Sequence, residues 1–228
     1  MLSVAESRPS ERARFIKNTY THLAGAVGAF TLLEVFLFTS GIAGAIAQMV
    51  FSSRFAWLGV IAAFGVLGWM ARSWAEKTDV KTQYIGLGVY VVAEALVFAP
   101  LIWMAATFFD PTIIPTAGIF TALLFAGLTA IVFTTKKDFT FIGGALTIAG
   151  FIALGLIICS AIFGFNLGVW FSAAMILVAS GSILYDTSKV MQHYGVDQHV
   201  AASLELFASV ALLFWYVLQL LMQLSSRD

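Results

Sequence analysis

Charge is what this sequence lacks most. Of its 228 residues only 11% are charged, while 61% are hydrophobic. A soluble globular chain carries roughly a quarter charged residues. There is too little charge to cover a water-facing surface, which excludes a soluble globular domain. An excess of either sign is also missing: twelve Lys and Arg balance twelve Asp and Glu. No basic surplus marks a nucleic-acid binder. The single cysteine, Cys159, excludes an intrachain disulfide, and inside its apolar segment it reads as a small packing residue. No His/Cys/Asp cluster has metal-ligand spacing. Nucleophile elbow, paired-His helix motif and phosphate-cradling glycine loop are all missing. The reading is therefore no metal, no cofactor and no enzyme. The opening "MLSVAESRPSERARFIKNTY" lacks the basic start and apolar core of a signal peptide, so the first apolar segment is expected to persist as an anchor.

What is present is long apolar runs. They lie at about 19–39, 55–73, 83–106, 115–135, 140–163, 167–187 and 200–222, each within the ~17–25 residues of a crossing helix. A β-barrel needs short alternating strands, and these runs are continuous. The expected fold class is all-α: a polytopic membrane protein of seven transmembrane helices, with the lipid bilayer as its first partner. Residues 1–18 form a polar tail and 19–228 the seven-span domain. The stretch 40–53, "SGIAGAIAQMVFSS", is uncharged but too short to span. It extends the first helix, lies at the interface or re-enters the membrane.

Basic residues in short loops orient such a chain. One side receives Arg8, Arg12, Arg14, Lys17, Arg72, Lys77, Lys81, Lys136, Lys137 and Lys189, the other only Arg54 and Arg227. That bias predicts a cytoplasmic N-terminus and a periplasmic C-terminus. Trp57, Trp103 and Trp170 fall near outer ends and Trp69 and Trp74 near inner ends, as an aromatic belt requires; Trp215 fits less well. Small residues recur at helical spacing in Gly25-Ala26-Gly28, Gly59-Gly65-Gly68 and Gly143-Gly144-Gly150. They are expected where helix backbones approach closely.

Acids inside spans are the residues to interrogate, because a carboxylate at the bilayer centre costs at least ~2.5–3.5 kcal/mol. Glu94 sits about 16 Å into the third span at 1.5 Å per residue, near the midplane. Pro100 follows it and frees a carbonyl in the adjacent turn, as ion or proton sites often do; the bland alternative is a structural Glu bonded to a neighbouring helix. Glu34, near the outer end of the first span, reads as a solvated or headgroup-level acid. Asp186 ends a run, Phe139 to Tyr185, that has no charged residue at all. Glu205 lies about one and a half turns into the next, antiparallel span. The two acids either share a proton or a cation, or Asp186 faces water with Lys189 as a weak partner. His22, His193 and His199 read as solvated.

At "TTKKDFTFIGG" (134–144) and "SGSILYDTSKV" (180–190) the chain resembles the Bax inhibitor-1 family, most of all its bacterial YccA-type branch. "KNTYTHLAGA", "FAP" and the closing "LSSRD" extend the likeness nearly end to end. The resemblance implies a seven-helix bundle of that type and two kinds of function. One is an inner-membrane regulator of membrane protein quality control that binds and modulates an FtsH-type membrane-bound ATP-dependent protease, with the charged, unstructured Met1 to Lys17 as its handle. The alternative is a pH-sensitive Ca2+ or H+ leak whose inner gate pairs an aspartate of the sixth span with one of the seventh. Asp186 matches the first through "LYD". The second position falls on Ser209, which cannot share a proton as a carboxylate would. Glu205, one turn earlier on the same face, might stand in. Arg72 falls near the family's basic residue at the inner end of the second span, a counter-ion for Asp186. The leak-type members' acid within that span has no counterpart in "FAWLGVIAAFGVLGWM".

Overall fold

In a computed structural model that describes residues 3–75 and 79–226, the apolar runs form helices and the polar breaks form their turns. The helices are α1 (Pro9–Thr39), α2 (Ile42–Phe51), α3 (Arg54–Ala75), α4 (Val80–Phe108), α5 (Ile113–Thr135), α6 (Gly143–Phe163), α7 (Gly168–Gln192) and α8 (His199–Ser225). All but α2 are long and apolar enough to cross a membrane. Among the described residues there is no strand, only an isolated bridge between Ser3 and Gly195. Lys77 and Arg227, counted in the charge bias, lie outside the described residues. The end bearing the N-terminal segment and the α3–α4, α5–α6 and α7–α8 turns is called the basic end below.

Helices α4 and α8 are the most enclosed, and α6 the least. Helix α7 packs along α8, α3 along α4, and α1 against both α4 and α8. Helix α6 turns Phe151, Ile152, Phe163 and its neighbours outward, a surface that only lipid can cover. Cys159 lies on this exposed face instead of packing in the core, because α6 touches the bundle through only one side.

Two expectations change at the chain's start. The tail is ordered: α1 begins at Pro9, a residue suited to a first helical turn. Phe15, Thr19, Leu23 and Ala26 make a buried stripe at helical spacing. Before the helix, the Val4 amide donates to the Tyr194 carbonyl at 2.8 Å. The Val4 side chain is fully buried, and the Arg12 guanidinium donates to the carbonyls of Val4 and Ala5. The N-terminal segment is thus pinned to the α7–α8 turn.

Residues 40–53 resolve into a break and a short helix. Gly41 adopts φ +79°, a conformation that ends α1 without a Cβ penalty. Helix α2 then buries Ala43, Ala47 and Val50, lying chiefly on α4.

The glycine expectation also needs correction. A Cβ at Gly25, Gly28, Gly59, Gly65, Gly144 or Gly150 would meet nothing within 4 Å, and at Gly68 only the Tyr90 ring at 3.5 Å. Close approach occurs at Gly143, one of the expected positions, and at Gly86, which was not among them. At Gly86 on α4 a Cβ would lie 2.6 Å from the Ala71 carbonyl oxygen and 2.8 Å from the Ala75 nitrogen of α3. At Gly143 it would lie 2.7 Å from the Tyr185 ring. Small-residue spacing marks where backbones can meet, and the partner helix decides where they do.

Candidate functional site

Helix α8 carries a one-sided row of residues at alternating spacings of four and three: Glu205, Ser209, Leu212, Tyr216, Gln219 and Gln223. Every one of them lines a cavity of about 1030 Å³ enclosed with α3, α4, α6 and α7. From Glu205 to Gln223 the row covers about 27 Å at 1.5 Å per residue, close to the ~30 Å of a bilayer core. The cavity therefore runs most of the way between the two ends of the bundle.

Its basic end holds the candidate residues. Ser209 and Glu205 share a face because they are four apart, and so do Tyr90 and Glu94 on α4. Arg72 lies in the last turn of α3, where a cation suits the helix dipole. That turn is drawn onto α4 by the missing side chain at Gly86.

The Arg72 guanidinium donates to both carboxylate oxygens of Glu205, at 3.1 and 3.0 Å. It also lies 5.9 Å from the Tyr90 ring centroid. Asp186 is 6% exposed and borders the cavity. Its Oδ2 accepts a hydrogen bond from the Ser209 hydroxyl at 2.5 Å. Arg72, Glu205 and Lys189 act on it through their fields. Arg72 is thus the direct partner of Glu205 and only a longer-range one of Asp186. The position where the resemblance expects a second aspartate supplies a hydroxyl donor instead. Glu94 is buried as well and interacts with Tyr90 and Arg72. Three acids, Glu94, Asp186 and Glu205, thus line this end of the cavity beside the single guanidinium of Arg72. Among the described residues no three His, Cys, Asp or Glu groups come together to hold a metal ion.

The far end is polar without being charged. The Ser172 hydroxyl on α7 donates to Gln219 Oε1 and Gln223 Oε1 at 3.4 and 3.3 Å. Between the two polar ends lies an aromatic belt. Trp57 and Trp215 stack with centroids 5.7 Å apart, and Phe98 meets Trp215 edge-on at 4.9 Å. Trp215 misfits an interfacial girdle because it belongs to this interior belt. Tyr90, Gln219 and Gln223 were missed by a search restricted to acids. Their signal was the 4-3 spacing of polar residues along α8 and the four-residue step from Tyr90 to Glu94.

The two stretches that carry the family likeness touch each other beside Asp186. The Phe139 amide donates to the Ser188 hydroxyl at 3.1 Å. Tyr185 lies over Gly143, and His193 pairs with Asp138 at 3.0 Å. Hydrogen bonds from the Thr140 hydroxyl and backbone, helped by His193, hold the Asp138 carboxyl below its ordinary range. His22 and His199 also come together, with ring centroids 5.0 Å apart. His22 bonds the Tyr84 hydroxyl at 2.7 Å.

Glu34 overturns its reading as a solvated acid. It is 6% exposed and borders a cleft lined also by residues of α4, α5 and α8.

Comparison with known proteins agrees with this architecture. The family model described as inhibitor of apoptosis-promoting Bax1 matches residues 12–226. The chain is 36% identical over 112 residues to the modulator of FtsH protease YccA of Escherichia coli strain K12, covering 47% of this chain and 49% of that protein. It is 32% identical over 151 residues to Bax inhibitor 1 of Schizosaccharomyces pombe, 64% of this chain and 54% of that one. With mouse protein lifeguard 4 it shares 31% over 171 residues, 71% of this chain and 67% of the relative. The chain thus spans about half the length of the first two relatives.

Proposed function

Because the chain belongs to the family of inhibitors of apoptosis-promoting Bax1, we propose that it is a multi-pass regulator of the bacterial inner membrane that binds and modulates an FtsH-type, ATP-dependent membrane protease. The observation that carries this reading is the likeness to the E. coli modulator of that protease. The basic end, cytoplasmic on the ten-to-two distribution of Lys and Arg, supplies the contact surface. Arg8, Arg14, Lys17, Lys136 and Lys137 are exposed there around the pinned N-terminal segment. The test is degradation of a membrane substrate by the reconstituted protease as this chain is added. Slowed degradation and co-purification are expected. Unchanged degradation at molar excess, without co-purification, sinks the reading.

A second reading is a pH-sensitive Ca2+ or H+ leak, favoured by the long cavity with acids at one end and amides at the other. Under it, Asp186 and Ser209 form the inner gate, Arg72 and Glu205 brace it, and Glu94 stands deeper in the path. Ion flux in proteoliposomes between about pH 5 and 8, with Asp186→Asn and Glu94→Gln, is the discriminating measurement. Zero flux at every pH removes this reading. Flux that ignores both substitutions removes the site assignment.

A further inference from the structure

A second cavity, of about 910 Å³, lies on the other side of α8 between α1 and α5, with α4 contributing to its wall. Helices α1 and α5 each pack on α8 but make no extensive contact with each other. They meet at the basic end, where the Tyr20 ring lies 6.4 Å from Phe125 and 5.9 Å from Phe133. Toward the opposite end they part, and Val35 and Phe38 of α1 are exposed at the rim. The result is a cleft bounded by Tyr20 at one end and rimmed by exposed Val35 and Phe38 beside Glu34 at the other.

Its walls are almost wholly apolar, and none of the lining residues is basic. Against them stand two buried polar side chains from facing helices. Glu34 is 6% and Thr121 4% exposed. Neither oxygen of Glu34, nor the Thr121 hydroxyl, has a hydrogen-bond partner among the described residues. Native structures seldom leave buried polar atoms unpaired without reason, and an isolated carboxylate in apolar surroundings is especially costly. Glu34 lies five residues before the end of α1, about 7.5 Å along the axis. The cleft then runs down α1 to Tyr20, about 21 Å farther, with Gly28 and Gly118 leaving open space along it.

We propose that this cleft binds a single-chain amphiphile with an ammonium head: the head pairs with Glu34 and Thr121, and the hydrocarbon tail lies between α1 and α5. Charge decides the head. A carboxylate without a basic neighbour favours a cationic head over a purely anionic one, which ranks an alkylamine above a fatty acid. Length and lining decide the tail. The site is separate from the α8 row described above and does not depend on either reading of the protein's function.

The test uses the full chain in phosphatidylcholine nanodiscs, titrated with hexadecylamine, hexadecanol and palmitic acid and read by native mass spectrometry. Hexadecylamine is expected to bind one to one and more tightly than the alcohol or the acid. Glu34→Gln should weaken the amine about tenfold or more, the loss of a charge-assisted hydrogen bond, while leaving the alcohol unchanged. Gly118→Leu, which fills open space and keeps the carboxylate, should weaken both; it also serves if Glu34→Gln does not fold. Equal binding of amine and acid overturns the proposal. So does amine affinity that neither substitution changes, a cleft that retains phosphatidylcholine against the amine, or a dimeric chain that takes up no amine.

Discussion

Ser209 occupies the seventh-span position that faces Asp186, and its hydroxyl donates a hydrogen bond directly to that carboxylate. Ser209→Ala leaves a buried acid without its donor, which should cost about 1–3 kcal/mol. The check is a thermal unfolding series in detergent. Ser209→Asp tests the same contact in the other direction. Two carboxylates in one buried site cannot both ionise easily, so any ion flux should become more steeply pH-dependent than in the parent. The comparison is between flux curves over about pH 5 to 8. The importance of Asp186 was legible in the sequence, because an acid ends a long uncharged run. Its partner was not. The Ser209 hydroxyl, the Glu205 carboxylate and the Arg72 guanidinium all lay within the alignment's reach. Only the rotation of α8 about its axis, set by packing on α7, decides which one meets it. Glu34 failed for a related reason. Distance along one helix estimates depth, but burial depends on neighbouring helices that are distant in sequence.

Among the elements, the α3–α4 pair shows how a position without a side chain places one with a charge. Gly86 admits the last turn of α3 to within contact of the α4 backbone, and Arg72 rides on that turn. Gly86→Ala should destabilise by about 1–3 kcal/mol, the usual cost of forcing atoms into a filled space. It should also loosen the Arg72–Glu205 ion pair, so the coupling energy from an Arg72→Ala and Glu205→Ala double-mutant cycle should be smaller in the Gly86→Ala background. The turn between α5 and α6 carries a pH prediction. The Asp138 carboxyl is held below its ordinary range. Its contacts therefore stabilise the fold above the unfolded carboxylate value, near 3.9, and the benefit disappears as pH falls through the lowered native value. The parent should be more stable than Asp138→Asn near pH 6, and the two melting curves should converge at strongly acid pH. The spans themselves were legible because about 20 apolar residues have few other uses. Helix α2 was ambiguous because ten apolar residues fit several settings, and only Gly41 and the α4 surface choose among them.

For the whole molecule, the N-terminal segment closes one end of the bundle. Val4 is buried against the α7–α8 turn and Phe15 against the core. Polarity and mixed charge made residues 1–18 look unstructured, since the two apolar anchors are too far apart to form a run. Val4→Asp should undock the segment without touching a span. Limited proteolysis should then cut near residues 8–14 in the variant and spare the parent. Equal protection of both would mean that the pairing with Tyr194 and Gly195, not the Val4 side chain, holds the segment.

Helix α8 has one more property at this scale. The face bearing Glu205, Ser209, Tyr216, Gln219 and Gln223 borders the polar cavity. Phe207, Val210, Ala211 and Phe214 of the same helix border the Glu34 cleft. The two voids share a partition one helix thick. A small roll of α8 that enlarges one must shrink the other, and would also change the meeting of Ser209 with Asp186. Under the leak reading, a ligand in the cleft would therefore shift the contact between Ser209 and Asp186, and by linkage a change at that contact would shift the ligand's affinity in return.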